Sequence, residues 1–149
     1  MLGSLAKWLR ILGFDTVYPD ATTNDDLVLQ IAQREKRLLI SRDKELLFRA
    51  KKTQIAVLEI HTTNLTEQLQ QVLKKIPLDE KKVLSRCTLC NTPLRSVEKE
   101  GIKNHIPEKV FKTRNEFWFC PACSKYYWMG THYEDMREKI SSLVQKNTF

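Results

Sequence analysis

Four cysteines constrain the fold of this chain more than any other feature of its sequence. They form two Cys-x2-Cys pairs, Cys87-Thr-Leu-Cys90 and Cys120-Pro-Ala-Cys123, which are separated by residues 91–119. A Cys-x2-Cys turn directs both of its sulfurs towards one ion, and two such turns complete the tetrahedral ligand set of a structural zinc site. We therefore expect one structural zinc ion bound by all four cysteines.

Disulfide bonds are the alternative use of these four thiols. The N-terminal segment carries Lys7 and Arg10 inside its apolar run, whereas a secretory signal places its basic residues ahead of an uninterrupted apolar core. Because disulfides are rare in proteins that are not secreted, the sequence favours zinc and a cytoplasmic location. Apolar stretches such as Ile55–Leu58 are too short to cross a bilayer, so we expect no membrane partner.

Residues 1–83 alternate between helical and strand-like patterns. The patterns predict a helix over 2–12 that Gly13 ends, a second after Asn24, a third over 44–50 and a fourth opened by a capping box of Asn64 and Glu67. Short β-rich runs fall at residues 14–18, 38–40 and 55–60, and we expect 38–40 to be a strand buried on both faces and 55–60 to be another buried strand. Alternation of this kind predicts an α/β fold, a parallel sheet with helices on both faces.

Pro77 and the charged run 79–82 form a linker, and the sequence pattern of residues 84–149 after it differs from that of residues 1–83. Residues 84–149 hold the four cysteines, a Glu100-Gly101 pair that suggests a hairpin turn, and strand-like runs at 110–113 and 116–119. A capping-box pattern over 131–134 opens one final helix. We therefore predict two domains, residues 1–83 and a small β-rich zinc ribbon with a C-terminal helix over 84–149.

The formal net charge of +7 favours a polyanionic partner. Nucleic acid is the first candidate for that partner and an anionic membrane surface the second, since clustered lysine and arginine serve both. The excess is spread over both halves of the chain, so charge alone does not locate a binding surface.

Several aspartates lie near predicted strand ends and helix starts. They are Asp15, Asp20, Asp25, Asp26 and Asp43. Carboxylates at the carboxyl ends of parallel strands can hold Mg²⁺ or Mn²⁺ for phosphoryl chemistry. Local roles are equally open, because negative charge is favoured in the first turn of a helix and aspartate is a common N-cap.

The chain resembles the PIN-like RNase domain family named after the C-terminus of Mut-seven exonucleases. The motifs that carry the resemblance are Met1-Leu-Gly-Ser-Leu-Ala-Lys-Trp-Leu-Arg-Ile-Leu-Gly-Phe-Asp15, Asp25-Asp-Leu-Val-Leu-Gln-Ile-Ala32, Arg37-Leu-Leu-Ile-Ser-Arg-Asp43, Cys87-Thr-Leu-Cys-Asn91, Cys120-Pro-Ala-Cys123 and Tyr127-Trp-Met-Gly-Thr-His132. The resemblance implies a PIN-like domain followed by a zinc ribbon, with metal-dependent ribonuclease activity. The chain is expected to bind RNA.

Carried over position by position, the resemblance implies that Asp43 and Asp25 hold Mg²⁺ or Mn²⁺. Asp26 is the near alternative to Asp25, and Asp15 matches a recurrent aspartate of the family. We also expect a set of basic, aromatic and histidine side chains to contact RNA: Lys7, Arg10, Arg42, Lys125, Trp128 and His132. For Trp128 packing within the ribbon is the competing interpretation, and for His132 a surface position near the helix cap.

Members of this family usually have a strand before the Met-Leu-Gly motif that ends in a further aspartate of the metal site. We expect that strand and that aspartate to be missing here, either because the start was assigned at an internal methionine or because the chain is a shortened member of the family. In the 149-residue form we expect the gap to be filled by a partner chain or a rearranged strand, or the chain to be a poor nuclease. The alternative function is therefore a catalytically degenerate RNA- or ribosome-associated adaptor. A third possibility is a zinc-ribbon module that binds proteins.

Overall fold

The computed structural model of the chain describes residues 2–146, apart from the side chains at positions 132, 136, 140 and 143–146. It contains six α-helices and five strands. The helices are α1 (Gly3–Ile11), α2 (Asp25–Arg34), α3 (Lys44–Lys52), α4 (Leu65–Lys75), α5 (Glu108–Thr113) and α6 (Thr131–Lys146). The strands are β1 (Leu39–Ser41), β2 (Val57–Glu59), β3 (Arg95–Val97), β4 (Phe117–Cys120) and β5 (Lys125–Tyr127), and short 3-10 helices lie at Glu80–Lys82 and Lys99–Ile102.

The described chain divides into two compact units. The first consists of Met1–Ala6 and Val17–Ile76, and the second of Lys7–Thr16 and Pro77–Phe149. Helix α1 therefore contributes its first residues to one unit and its last residues to the other. The predicted domain boundary between residues 83 and 84 stays a prediction. The division by contacts differs from it, because it assigns residues 7–16 and 77–83 to the second unit.

The first unit contains the parallel sheet that the helix–strand alternation predicts. Strand β1 pairs in parallel with β2, with Ile40 opposite Leu58, and α3 connects the two strands. A cluster of Ala32, Ala50 and Ile55 packs the helices against the strands. The α/β class is confirmed.

The expectation of a strand buried on both faces is wrong, because every residue of β1 and β2 is only half-buried. Within the described residues this sheet has two strands, so each strand has a neighbour on one edge only. The β-rich run over residues 14–18 is not a strand either. In that run the Thr16 N–H donates to the side-chain oxygen of Asn91, and the Thr16 carbonyl accepts from Arg10, so side chains satisfy the backbone groups that a strand partner would otherwise bind.

The helix starts of the first unit follow the predicted capping residues. Asn24 accepts the Leu27 N–H at the start of α2, and Asn64 accepts the Glu67 N–H at the start of α4. In a full capping box the Glu67 carboxylate would also accept the backbone N–H of Asn64. Here that carboxylate instead accepts a hydrogen bond from the Thr62 hydroxyl.

The second unit contains an antiparallel three-stranded sheet in the order β3-β4-β5. Its small core consists of Ile102, Ile106 and Phe117, and Trp128 packs edge-on against Phe117 with ring centroids 6.4 Å apart. The sheet and the four cysteines confirm a small β-rich unit that precedes a C-terminal helix.

Two local predictions for this unit are wrong. Residues 110–113, predicted as a strand, lie in α5, because Val110 and Phe111 pack against the small core from a helical turn that follows Pro107. The segment around Glu100-Gly101 forms a 3-10 helix instead of a hairpin turn, since residues 98–116 are a long connection between β3 and β4.

The final helix forms as predicted, but its capping box does not. Its first described backbone bond runs from the Glu134 N–H to the Gly130 carbonyl, and the Glu134 carboxylate accepts a hydrogen bond from Arg114 at 3.0 Å. The predicted apolar face of this helix lies outside the described side chains; it comprises Met136, Ile140, Leu143 and Val144.

Candidate functional site

The four cysteines converge in the second unit as their spacing predicts. Their sulfur atoms all lie within 4.8 Å of one another, and none is in a disulfide. The Sγ atoms of Cys87 and Cys123 are 3.9 Å apart, and those of Cys90 and Cys120 are 3.5 Å apart. Tetrahedral zinc with Zn–S bonds of about 2.3 Å separates its sulfurs by about 3.8 Å, so the cluster fits a metal ion such as zinc.

The two cysteine turns share one backbone conformation. In the first turn the Asn91 N–H donates to the Cys87 carbonyl at 3.0 Å, and in the second the Ser124 N–H donates to the Cys120 carbonyl at 2.8 Å. Both closing residues have left-handed backbones, with φ of 71° at Asn91 and 55° at Ser124. This reversal brings the two sulfurs of each turn to the same side of the chain.

Hydrogen-bond donors surround the sulfurs that the turns bring together. The Leu89 N–H points at Cys87 Sγ from 3.4 Å, and the Cys123 N–H points at Cys120 Sγ from 3.3 Å. The Tyr127 hydroxyl lies 3.0 Å from Cys87 Sγ. Donors around a thiolate stabilise its negative charge, and groups in this position tune metal sites.

These contacts divide the four thiols into two kinds. The Thr92 hydroxyl, 3.1 Å from Cys90 Sγ, lowers the pKa of Cys90 to about 6 by stabilising its thiolate. Hydrogen bonding with Cys90 raises the pKa of Cys123 to about 12, and burial raises the pKa of Cys120. Burial opposes ionisation of Cys87 as well, but the Tyr127 hydroxyl and nearby amides outweigh it and lower its pKa. A divalent cation that binds the four sulfurs would therefore displace the protons that Cys120 and Cys123 otherwise keep.

Side chains from the end of α1 and the loop after it hold the first cysteine turn in place. The Arg10 guanidinium donates to the carbonyls of Thr88 and Leu89, at 3.0 and 3.2 Å. The Asn91 side chain donates to the Asp15 carboxylate at 2.6 Å. Arg10 and Asp15 were predicted to contact RNA and to take part in catalysis, respectively. The structure places both against the cysteine turn, and those functional roles stay predictions.

The other predicted catalytic carboxylates lie in the first unit at helix starts. Asp43 is the N-cap of α3 and accepts the N–H groups of Glu45 and Leu46, at 3.0 and 3.2 Å. Asp25 and Asp26 lie exposed in the first turn of α2. Asp43 thus caps a helix, and Asp25 and Asp26 lie where the helix dipole favours negative charge, as the alternative to metal binding predicted. Metal binding by these aspartates stays a prediction.

Asp26 also forms an ion pair with Arg49 of α3. Among the residues that the structure describes, only the four cysteines bring three or more metal-ligating side chains together. Any divalent cation at Asp25, Asp26 or Asp43 would therefore need further ligands from water or a substrate.

The remaining predicted RNA contacts are distributed over both units. Lys7, Arg42 and Lys125 are exposed, with Lys125 Nζ lying 5.2 Å from the centre of the Tyr127 ring. Trp128 is half-buried against Phe117, which is the packing role that competed with RNA contact. The side chain of His132 lies outside the described residues.

Sequence reasoning missed the roles of three residues at the cysteine cluster. Tyr127, Thr92 and Asn91 act on the sulfurs or on the turn that carries them. Asn91 had a readable signal, because asparagine tolerates the left-handed conformation that closes such a turn. The contact of Tyr127 with the sulfur had no local signal, because Tyr127 reaches the first turn from β5, 40 residues after Cys87.

Comparison with known proteins agrees with the motifs. The family model described as Mut7-C RNAse domain matches residues 1–140. No curated protein and no solved structure matches the chain. No helix in the described part of the chain is long and apolar enough to span a membrane.

Proposed function

Because the chain belongs to the Mut7-C RNAse domain family, we propose that it is a metal-dependent ribonuclease that hydrolyses RNA phosphodiester bonds. The observation that carries this proposal is the family match over residues 1–140, which extends across both compact units. The net charge of +7 supports it, since an excess of basic side chains favours a polyanionic substrate.

We propose that Asp43 and Asp25 hold Mg²⁺ or Mn²⁺. Both side chains are exposed, and Mg²⁺ is commonly held by one or two carboxylates together with waters and substrate phosphates, so these residues fit a site that forms with RNA. When bound, such ions activate water and stabilise charge on the scissile phosphate. Asp26 is less available because it is paired with Arg49, and Asp15 because it is bonded to Asn91.

The proposal is tested by incubating the purified chain with mixed RNA, with and without Mn²⁺. The informative variant is Asp43→Asn, because asparagine caps a helix as well as aspartate does and removes only the charge. We expect this variant to keep its fold and to lose about 100-fold or more of the cleavage rate.

Asp79→Asn is the matched control. Asp79 is also exposed and also caps a helix, the 3-10 helix Glu80–Lys82, through the Lys81 N–H. Its variant should cleave at the unaltered rate. Cleavage that is equally fast in both variants would remove Asp43 from the site, and no cleavage by the unaltered chain with any divalent cation would remove the nuclease assignment.

We further propose that the second unit assists RNA binding through Lys125, Trp128 and His132. RNA affinity should then fall steeply with rising salt, because each neutralised phosphate releases counterions. An affinity that is flat from low to high salt would instead favour the protein-binding module.

One observation favours a second candidate, the catalytically degenerate RNA-binding adaptor. Within the described residues no three carboxylates come together, and both Asp15 and Asp26 are engaged by other side chains. The adaptor would bind RNA with strong salt dependence and leave it intact in Mn²⁺. Cleavage that Asp43→Asn abolishes would exclude it.

A further inference from the structure

Helix α3 presents an aromatic ring on its outer face. Its inner face is formed by Leu46, Leu47 and Ala50, which are buried, whereas Phe48 is 59% exposed. At 100° per residue, Phe48 points away from that buried side of the helix. Burial in the first unit therefore does not explain why a phenylalanine stands at this position.

Basic side chains surround this ring on the same face. Lys44, Lys51 and Lys52 are exposed and lie three or four residues from Phe48 along the helix, which makes them its surface neighbours. The Lys52 ammonium lies 4.5 Å from the centre of the Phe48 ring. Residues 42–52 contain five basic and two acidic side chains, so the face as a whole is cationic.

The combination identifies the kind of ligand. Surfaces that bind single-stranded nucleic acid place aromatic rings, on which bases stack, among cations that contact the backbone. Protein–protein interfaces are instead depleted in lysine. A lone exposed phenylalanine would need no explanation, but one among three lysines favours a ligand with both flat rings and negative charge.

We propose that the outer face of α3 binds single-stranded RNA, with Phe48 stacking on a base and with Lys44, Lys51 and Lys52 contacting phosphates. The choice of RNA over other polyanions rests on the proposed function. The face is also well placed for it, because Asp43 caps the same helix and Arg49 of this helix pairs with Asp26. Lys44 lies on the Phe48 face and directly follows Asp43 in the chain, so RNA bound through Lys44 lies near the helix end that Asp43 caps.

The test measures binding of a short fluorescent oligouridylate by anisotropy, with no divalent cation added, so that cleavage does not interfere. Phe48→Ala should weaken binding about five-fold or more, the effect of losing one base–aromatic stack, and Phe48→Trp should restore it. The same comparison on an abasic oligomer of equal length isolates stacking, since Phe48→Ala should then change nothing. Lys51→Ala should weaken binding to both oligomers and reduce the salt dependence by about one phosphate contact.

Val17→Ala is the matched control, because Val17 is another exposed apolar side chain of the first unit, at 44%, but lies outside α3. It should bind both oligomers as the unaltered chain does. Three results would overturn the proposal: unchanged affinity of Phe48→Ala for oligouridylate, an equal loss on the abasic oligomer, or displacement of RNA by polyglutamate as effectively as by unlabelled RNA. The last result would indicate an acidic protein segment as the occupant.

This design distinguishes a failure of the proposed RNA-binding surface from a failure of the proposed nuclease activity. A chain that cleaves RNA in Mn²⁺ but binds equally well with and without Phe48 keeps the nuclease and loses the α3 surface. A chain whose RNA binding depends on Phe48 but that never cleaves keeps the surface and loses the nuclease.

Discussion

The side-chain amide of Asn91 donates a 2.6 Å hydrogen bond to the carboxylate of Asp15, which lies 76 residues earlier in the chain. The side-chain oxygen of the same Asn91 accepts the Thr16 N–H at 3.0 Å. Since Asn91 also closes the first cysteine turn with a left-handed backbone, the loop after α1 acts as a brace for half of the metal site.

Removing this brace should loosen the metal site without removing a ligand. We expect Asp15→Ala to lower the free energy of unfolding of the second unit by about 1 kcal/mol, the usual cost of one such hydrogen bond, and to speed zinc loss to a chelating dye. Asp135→Ala, at an exposed position of α6, is the control and should release zinc at the unaltered rate. Equal release from both variants would show that Asp15 does not support the turn.

Gly13 should tolerate no side chain. Its φ is +91°, and a Cβ placed there would lie 2.1 Å from the Lys82 carbonyl oxygen. We therefore expect Gly13→Ala to lower the free energy of unfolding in urea by about 2 kcal/mol or more. Gly101→Ala is the matched control, because a Cβ at Gly101 meets nothing within 4 Å, and its stability should stay within about 0.5 kcal/mol of the unaltered chain.

Local signals in the sequence were sufficient where a few neighbouring residues decide the structure. The Cys-x2-Cys spacing predicts the cysteine turns, and Asn24 and Asn64 predict helix starts, because each acts within about one turn of chain. Helix α5 was missed because distant residues decide it, through packing of Val110 and Phe111 on the core around Phe117. The bond between Asp15 and Asn91 could not be predicted for the same reason, and Asp15 therefore resembled a free catalytic carboxylate.

Metal binding should support the second unit directly. Cys120 is fully buried and supplies one of the four sulfurs, so Cys120→Ser should abolish stoichiometric zinc in elemental analysis and unfold the second unit. Secondary structure from the first unit should persist in circular dichroism. Ser96→Ala, at an exposed position of β3, is the control and should keep one zinc per chain. Purified, reduced protein without zinc would contradict the assignment.

The Tyr127 hydroxyl should strengthen zinc binding although it is not one of the four candidate sulfur ligands. It lies 3.0 Å from Cys87 Sγ and accepts the Thr88 N–H, and burial raises its pKa to about 12, so it remains a hydrogen-bond donor at neutral pH. We expect Tyr127→Phe to weaken zinc about 10-fold or more in a competition with a chelator. Tyr126→Phe, next to it in β5, should have no such effect. Equal affinities of the two variants would remove this role from Tyr127.

Zinc affinity should rise with pH. Cys123, whose pKa is raised to about 12, and Cys120, whose pKa is raised by burial, both carry protons at neutral pH and must release them to bind the metal. Cys90, with its pKa lowered to about 6, adds a third proton only in more acidic solution. Each fall in pH therefore makes protons stronger competitors, most steeply below about pH 6.

Calorimetry in buffers of different ionisation enthalpy measures this proton release, which should be about two per zinc or more near neutral pH. A chelator competition followed across the same pH range should show the matching fall in affinity. Zinc binding that neither releases protons nor depends on pH would mean that all four sulfurs are already ionised.

The division of the second unit between residues 7–16 and 77–149 has a consequence for how the protein is made. Leu9 and Leu12 are buried in the finished protein, but most of the unit to which they belong leaves the ribosome later. At about 5–20 residues per second, translation takes on the order of ten seconds to proceed from Thr16 to the last cysteine pair. During that interval the residues that share a compact unit with the end of α1 are still being made, so we expect its apolar side chains to remain accessible to chaperones or to other nascent chains.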